Sequence, residues 1–132
     1  MNKSIKKVVM KMIPILLCSD MKEAISFYTN ILDFQLKYPG TSSDDWVVDL
    51  INEDAELMLT SLKGDQKPSI NIYIRVNDVD TLYQKYINRG LNTSNKKESP
   101  VHQEPLNQTW GMREFYVTDN DGNTLRFGKP IE

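Results

Sequence analysis

The chain has 132 residues, 39% hydrophobic and 26% charged, and its 16 basic and 18 acidic side chains leave a net charge of −2. This balance predicts one folded domain over 1–132 and argues against disorder. It also offers no field for gathering phosphate backbones or anionic lipid, so neither nucleic acid nor membrane is an expected partner.

Lys3, Lys6, Lys7 and Lys11 alternate with apolar residues at the N-terminus, and Lys11 and Pro14 break the unbroken apolar stretch that a secretion signal needs. No run approaches the roughly 20 apolar residues of a membrane-spanning helix. A cytoplasmic protein is expected. Cys18 is the only cysteine, which rules out an intramolecular disulfide and suits a reducing compartment. It lies just before a predicted helix, where a thiolate would be favoured, but a small buried hydrophobe is the simpler reading.

A strand over 11–17 leads into a first helix whose apolar stripe is Met21, Ala24, Ile25, Tyr28, Ile31 and Leu32. Asp20 is its expected N-cap, with Glu23 three residues on to close a capping box. Strands follow over 34–38, 46–50 and 56–62. A fresh strand over 69–76 precedes a second helix with the stripe Val79, Leu82, Tyr83, Tyr86 and Ile87, capped by Asn77 and ended at Gly90. A weak strand within 96–103 and strands over 113–118 and 123–127 complete the chain.

The order is therefore βαβββ twice, with modules at approximately 11–62 and 69–129. Residues 18–28 can be laid on residues 76–86, which brings Asp20 onto Asp78 and Tyr28 onto Tyr86. Residues 91–111 form a polar insertion with Pro100 and Pro105, of the kind that either borders a site or is mobile. His102, the only histidine, lies in it and is expected to be solvated.

Ser19-Asp20, Phe27-Tyr28 and Ile31-Leu32-Asp33-Phe34 resemble the opening module of the glyoxalase, bleomycin-resistance and extradiol-dioxygenase superfamily, the vicinal oxygen chelate proteins. Trp110-Gly111-Met112-Arg113-Glu114-Phe115 and Asp119-Asn120-Asp121-Gly122-Asn123 resemble its ending, closest to the bleomycin-resistance type. The resemblance implies an α+β fold in which two tandem βαβββ modules form a curved mixed sheet, with helices outside and a cleft inside. It also implies a homodimer, in which modules can exchange between chains and the Lys-rich N-terminus and Trp46 can lie at the interface.

Superfamily enzymes place metal ligands on the first and last strand of each module. Carried across, those positions are Ile13, Met58, Asn71 and Arg126, none of them a competent donor for a catalytic divalent cation. Glu56 and Glu114 can both be pointed at the cleft, but two carboxylates alone make a poor site. No metal and no other cofactor is expected.

The period of two along each strand sorts the faces. Ile70, Ile72, Ile74 and Val76 pack, as do Leu57, Leu59, Leu125 and Phe127. Glu56, Met58, Thr60, Asn71, Tyr73, Arg75, Thr124, Arg126 and Gly128 turn to the cleft. The candidate ligand-binding residues are Trp46, Met58, Asn71, Tyr73, Trp110, Glu114, Tyr116 and Arg126, an aromatic lining for a small aromatic or amphipathic ligand, in which Glu114 could hold a cationic group.

Bland alternatives stand beside this. Trp46 and Trp110 can pack in the sheet or at a subunit contact, and Glu114 and Arg126 can form an ion pair across adjacent strands. The favoured reading is metal-independent sequestration without catalytic residues. Its rivals are a lyase, isomerase or dioxygenase with a non-standard metal site, acid-base chemistry by Glu114 with Tyr73 or Tyr116, and an interaction-only scaffold.

Overall fold

A computed structural model describes residues 6–65 and 67–132; Lys3 of the basic N-terminal segment lies outside them. Eight strands run in chain order: β1 (Ile15–Leu17), β2 (Gln35–Leu36), β3 (Val47–Asn52), β4 (Ala55–Thr60), β5 (Asn71–Arg75), β6 (Leu106–Asn107), β7 (Met112–Thr118) and β8 (Thr124–Pro130). The helices are α1 (Met21–Ser26), α2 (Val79–Asn88) and α3 (Pro100–Gln103). The strands form two four-stranded sheets, ordered β1-β4-β3-β2 and β5-β8-β7-β6. In each, the first and last strand of the module pair parallel and the other neighbours antiparallel, so both sheets are mixed.

The two helices begin alike. Asp20 accepts from the Glu23 amide and Asp78 from the Thr81 amide, each at 3.0 Å, so each carboxylate satisfies a donor that the first turn leaves open. The cap of α2 is thus Asp78 and not Asn77, as the repeat itself had aligned it. The capping box at α1 is not closed, because the Glu23 carboxylate accepts from the Asn120 side chain. Beyond Ser26 the first helix widens into a π-helical turn over Phe27–Ile31, where the Leu32 amide reaches back five residues to the Phe27 carbonyl at 3.1 Å.

The weak strand expected within 96–103 is instead a 3₁₀ turn (Ser94–Lys96) followed by α3. Pro100 explains this locally, since it supplies no amide to a ladder but suits the first position of a helix. The short strand falls later, at β6. The first strand is likewise confined to β1, with residues 11–14 outside the ladder.

One apolar cluster draws on both modules. Leu16, Val48, Leu50, Leu57 and Leu59 come from the first sheet, Phe115, Val117, Leu125 and Phe127 from the second, with Tyr28 and Tyr86 buried between them. Phe115 stacks on Phe127 at 4.9 Å between centroids, and Tyr86 meets both edge-on. At roughly 25 cal/mol per Å² of apolar surface, rings of this size contribute strongly to such a core.

Polar bonds fix how the modules meet. The β7–β8 turn reaches the first module through Asn123, whose side-chain amide donates to the Leu17 carbonyl (3.0 Å) and to Asp119 (3.0 Å) while its oxygen accepts from the Ile70 amide (3.1 Å). The Tyr28 hydroxyl donates to Asp119 at 2.8 Å, and the Ser19 amide donates to Asp121 at 3.0 Å. On the far side Arg89 donates to Asp33 at 2.6 Å and to the Ile31 and Leu32 carbonyls.

Asp119 and Asn123 are both buried, so losing a partner leaves a desolvated group unpaired. Tyr28→Phe is expected to lower stability by about 1–2 kcal/mol and Asn123→Ala by more, because the asparagine ties three segments together. Urea denaturation at neutral pH measures both, and a smaller loss for Asn123→Ala would contradict this account of the junction.

Candidate functional site

Strand register places the outward residues of the second sheet in rows. Asn71 pairs with Thr124 and Thr124 with Thr118; Tyr73 pairs with Arg126 and Arg126 with Tyr116; Arg75 pairs with Gly128 and Gly128 with Glu114. Each row crosses β5, β8 and β7 in turn. Phe115, Val117, Leu125 and Phe127 are the alternate residues and fill the core.

Glu114 is the chemical centre of this face. Only 1% exposed, it accepts from the Tyr73 hydroxyl at 2.6 Å, the Trp110 indole N–H at 3.2 Å and the Tyr116 hydroxyl at 3.2 Å. Three neutral donors thus satisfy a buried carboxylate, and among the described residues no cation pairs with it. Burial, then the bond to Glu114, pushes the Tyr73 phenol up to about 12. Burial and the Glu114 charge also raise Tyr116, against the opposing pull of Arg126.

The ion pair weighed as an alternative for Glu114 and Arg126 is not formed. Glu114 has turned to the phenols and the indole, and the Arg126 guanidinium lies over the Tyr116 ring, 4.7 Å from its centroid. Nor is Glu114 placed to hold a cationic ligand group, because its oxygens are already enclosed.

Gly128 makes the arrangement possible. The Tyr73 phenol crosses β8 over this residue on its way to Glu114, and a Cβ at position 128 would collide with the Tyr73 hydroxyl and ring. No φ requirement applies here, so the glycine serves close approach alone.

The eight candidate residues are not all gathered in one place. Tyr73, Trp110, Glu114, Tyr116 and Arg126 are linked on the second sheet, with Asn71 one row away. Met58 belongs to the first sheet, paired with Ile15 and Asp49, and Trp46 precedes β3. Trp46 and Trp110 are 66% and 61% exposed and Tyr73 46%, so neither tryptophan packs within the single chain and the faces opposite the helices are open there.

Glu56 does not offer a free carboxylate to the cleft. Buried on β4, it takes Lys11 at 2.8 Å and Lys37 at 3.0 Å, and these two bonds hold its carboxyl below the usual range. Thr60, also assigned to the cleft face, is buried and donates to Asp65 at 2.8 Å.

His102 is buried on α3 rather than solvated. Its ring nitrogens meet Ser99 Oγ at 2.7 Å and Thr118 Oγ1 at 2.8 Å, and its edge faces Tyr116. Burial, assisted by Lys96, lowers its pKa. Through it the insertion borders the second-sheet face at Thr118 and Tyr116. Cys18 is buried too, and burial together with Asp121, Asp119 and Asp20 raises its thiol to about 11, which leaves no activated nucleophile.

The metal positions of superfamily enzymes do not fit an ion here. Ile13 has no donor, Met58 a soft thioether and Asn71 a single amide oxygen, while Arg126 brings a permanent positive charge. Among the described residues no three His, Cys, Asp or Glu side chains come together to hold a metal.

Arg75, Gly128, Lys11 and Lys37 were absent from the candidate set. Strand alternation had put Arg75 and Gly128 on the right face, but nothing in the sequence says that Tyr73 leans across Gly128. The Lys11 and Lys37 contacts to Glu56 span 45 and 19 residues, and no local pattern signals them.

Paired βαβββ sheets with this open polar and aromatic face define a class, and sequence comparison agrees with it. The model of the Glyoxalase/Bleomycin resistance protein/Dioxygenase superfamily matches residues 8–127, and the chain belongs to that superfamily. No curated protein is significantly similar to it in sequence. Among solved structures, a bleomycin-binding protein complexed with bleomycin superposes with a TM-score of 0.69 at 19% identity, covering 92% of this chain and 98% of that one. A bleomycin resistance determinant encoded on the transposon Tn5 gives 0.70 at 20% identity, with the same coverage. A superfamily member from Nocardioides gives 0.66 at 17% identity, covering 96% of this chain and 87% of its own. The shared property is the fold. No helix among the described residues is long and apolar enough to cross a membrane.

Gly128→Ala is expected to destabilise the protein by about 1–3 kcal/mol through overpacking, and Tyr73→Ala in the same chain should recover most of that loss. A thermodynamic double-mutant cycle tests it. Strict additivity would show that the close approach of Tyr73 carries no energetic weight.

Proposed function

We propose that this protein binds a small aromatic or amphipathic molecule on the outer face of the second sheet and holds it without metal and without chemistry. The observation that carries this reading is the row Tyr73, Arg126 and Tyr116, with Trp110 beside it, in which the two phenols and the indole are tied to one enclosed carboxylate. Such rings are fixed before a ligand arrives, so little side-chain freedom is lost on binding.

The same bonds weigh against acid-base catalysis. A phenol raised to about 12 is a poor proton donor at neutral pH, and the Glu114 oxygens are already engaged by three donors. The donor chemistry at Ile13, Met58, Asn71 and Arg126 weighs against a metal-dependent lyase, isomerase or dioxygenase. A structural neighbour that carries bleomycin is consistent with sequestration.

A homodimer belongs to this reading. The open faces carry Trp46 and Met58 on one sheet and the linked residues on the other, and a second copy can bring the two sets together. The single, buried cysteine suits a cytoplasmic setting.

Protein dialysed against chelator should show saturable quenching of tryptophan fluorescence by polycyclic aromatic ligands, weakened about five- to tenfold in Trp110→Phe or Trp110→Ala, with the alanine variant weaker. A broad panel with no response from folded protein would overturn the proposal. Sedimentation should report twice the 15.3 kDa chain mass, and a monomer at micromolar concentration would remove the dimer.

A further inference from the structure

The proposed binding face has a definite charge. Its outward rows across β5, β8 and β7 carry three charged side chains: Arg75, Glu114 and Arg126. Glu114 is withdrawn, 1% exposed beneath the Tyr73, Trp110 and Tyr116 donors. What remains to meet a ligand is two guanidinium groups, on a chain whose net charge is −2.

Arg126 is the more telling of the two. It sits on the central strand of the row, between Tyr73 and Tyr116, with its guanidinium over the Tyr116 ring. Its Nε is buried without a hydrogen-bond partner, and among the described residues no carboxylate pairs with it. Arg75 flanks the other side, 5.9 Å from the Tyr73 ring centroid, and it too forms no ion pair among those residues. A planar, permanently charged donor group stacked on a ring is suited to a carboxylate or similar oxyanion, which it can take through two N–H groups at once.

We propose that the ligand is a planar aromatic anion, its oxyanion held by Arg126 and its ring lying against Tyr73 and Trp110. This rests on the binding reading above and reverses the ligand charge that an exposed Glu114 would have selected. A cationic planar molecule meets two like charges on this face and no accessible carboxylate.

Isothermal calorimetry with three isosteric probes tests the assignment: 2-naphthoate, 2-naphthamide and 2-naphthylmethylammonium. The wild-type protein should bind the naphthoate about tenfold or more tighter than the ammonium compound, with the amide between them. Arg126→Met, which keeps much of the side-chain bulk, should bring the naphthoate-to-amide ratio close to one. Binding of the amide with equal or stronger binding of the ammonium compound overturns the charge assignment and leaves the binding reading standing. If none of the three binds, the binding reading fails and this assignment with it. An undiminished naphthoate preference in folded Arg126→Met removes Arg126 from the role, and should that variant not fold, the wild-type comparison alone decides.

Discussion

Everything distinctive in this molecule depends on the buried junction of Asp119 and Asn123. One asparagine side chain ties the end of β1, the entry to β5 and the β7–β8 turn, and one aspartate receives both that amide and the Tyr28 hydroxyl. Water cannot substitute for these bonds in a buried setting, so the two modules have one way to meet. Their helix-bearing faces then share a core, and the opposite faces of both sheets are left to solvent or to a partner.

On the second sheet that outward face is organised by a second buried acid. Glu114 draws two phenols and an indole toward itself, and Gly128 lets one of those phenols pass over the central strand. The carboxylate thereby acts on the rings rather than on a ligand. Arg126, excluded from Glu114 by the same bonds, is left stacked on Tyr116, with no acid pairing it among the described residues. The polarity of the face follows from which partner Glu114 takes.

Much of the fold was legible in the residues. Alternation identified the core faces of the strands correctly, because a residue-by-residue period of two can satisfy only one buried side. The repeat placed Asp20 over Asp78, and both are caps. The expectation of Asn77 as cap failed by one position, since both residue types favour that role and only backbone geometry chooses between them. The strand expected near 96–103 failed because apolar content there is sparse and Pro100 favours a helical start.

Of the candidate site, only the shared strand face was legible. Strand period could say that Tyr73, Glu114, Tyr116 and Arg126 share a face, and it could say that the metal positions hold the wrong donors, because both conclusions depend on residue type and spacing alone. It could not say that Glu114 would be enclosed by neutral donors instead of pairing with Arg126, that Lys11 and Lys37 would close on Glu56, or that His102 would be buried against Thr118. Those outcomes are competitions among side chains brought together from distant positions, decided by distance and desolvation. The sequence by itself determined the duplicated modules and the chemistry available on each face; the tertiary structure decided which charges remain unpaired among the described residues.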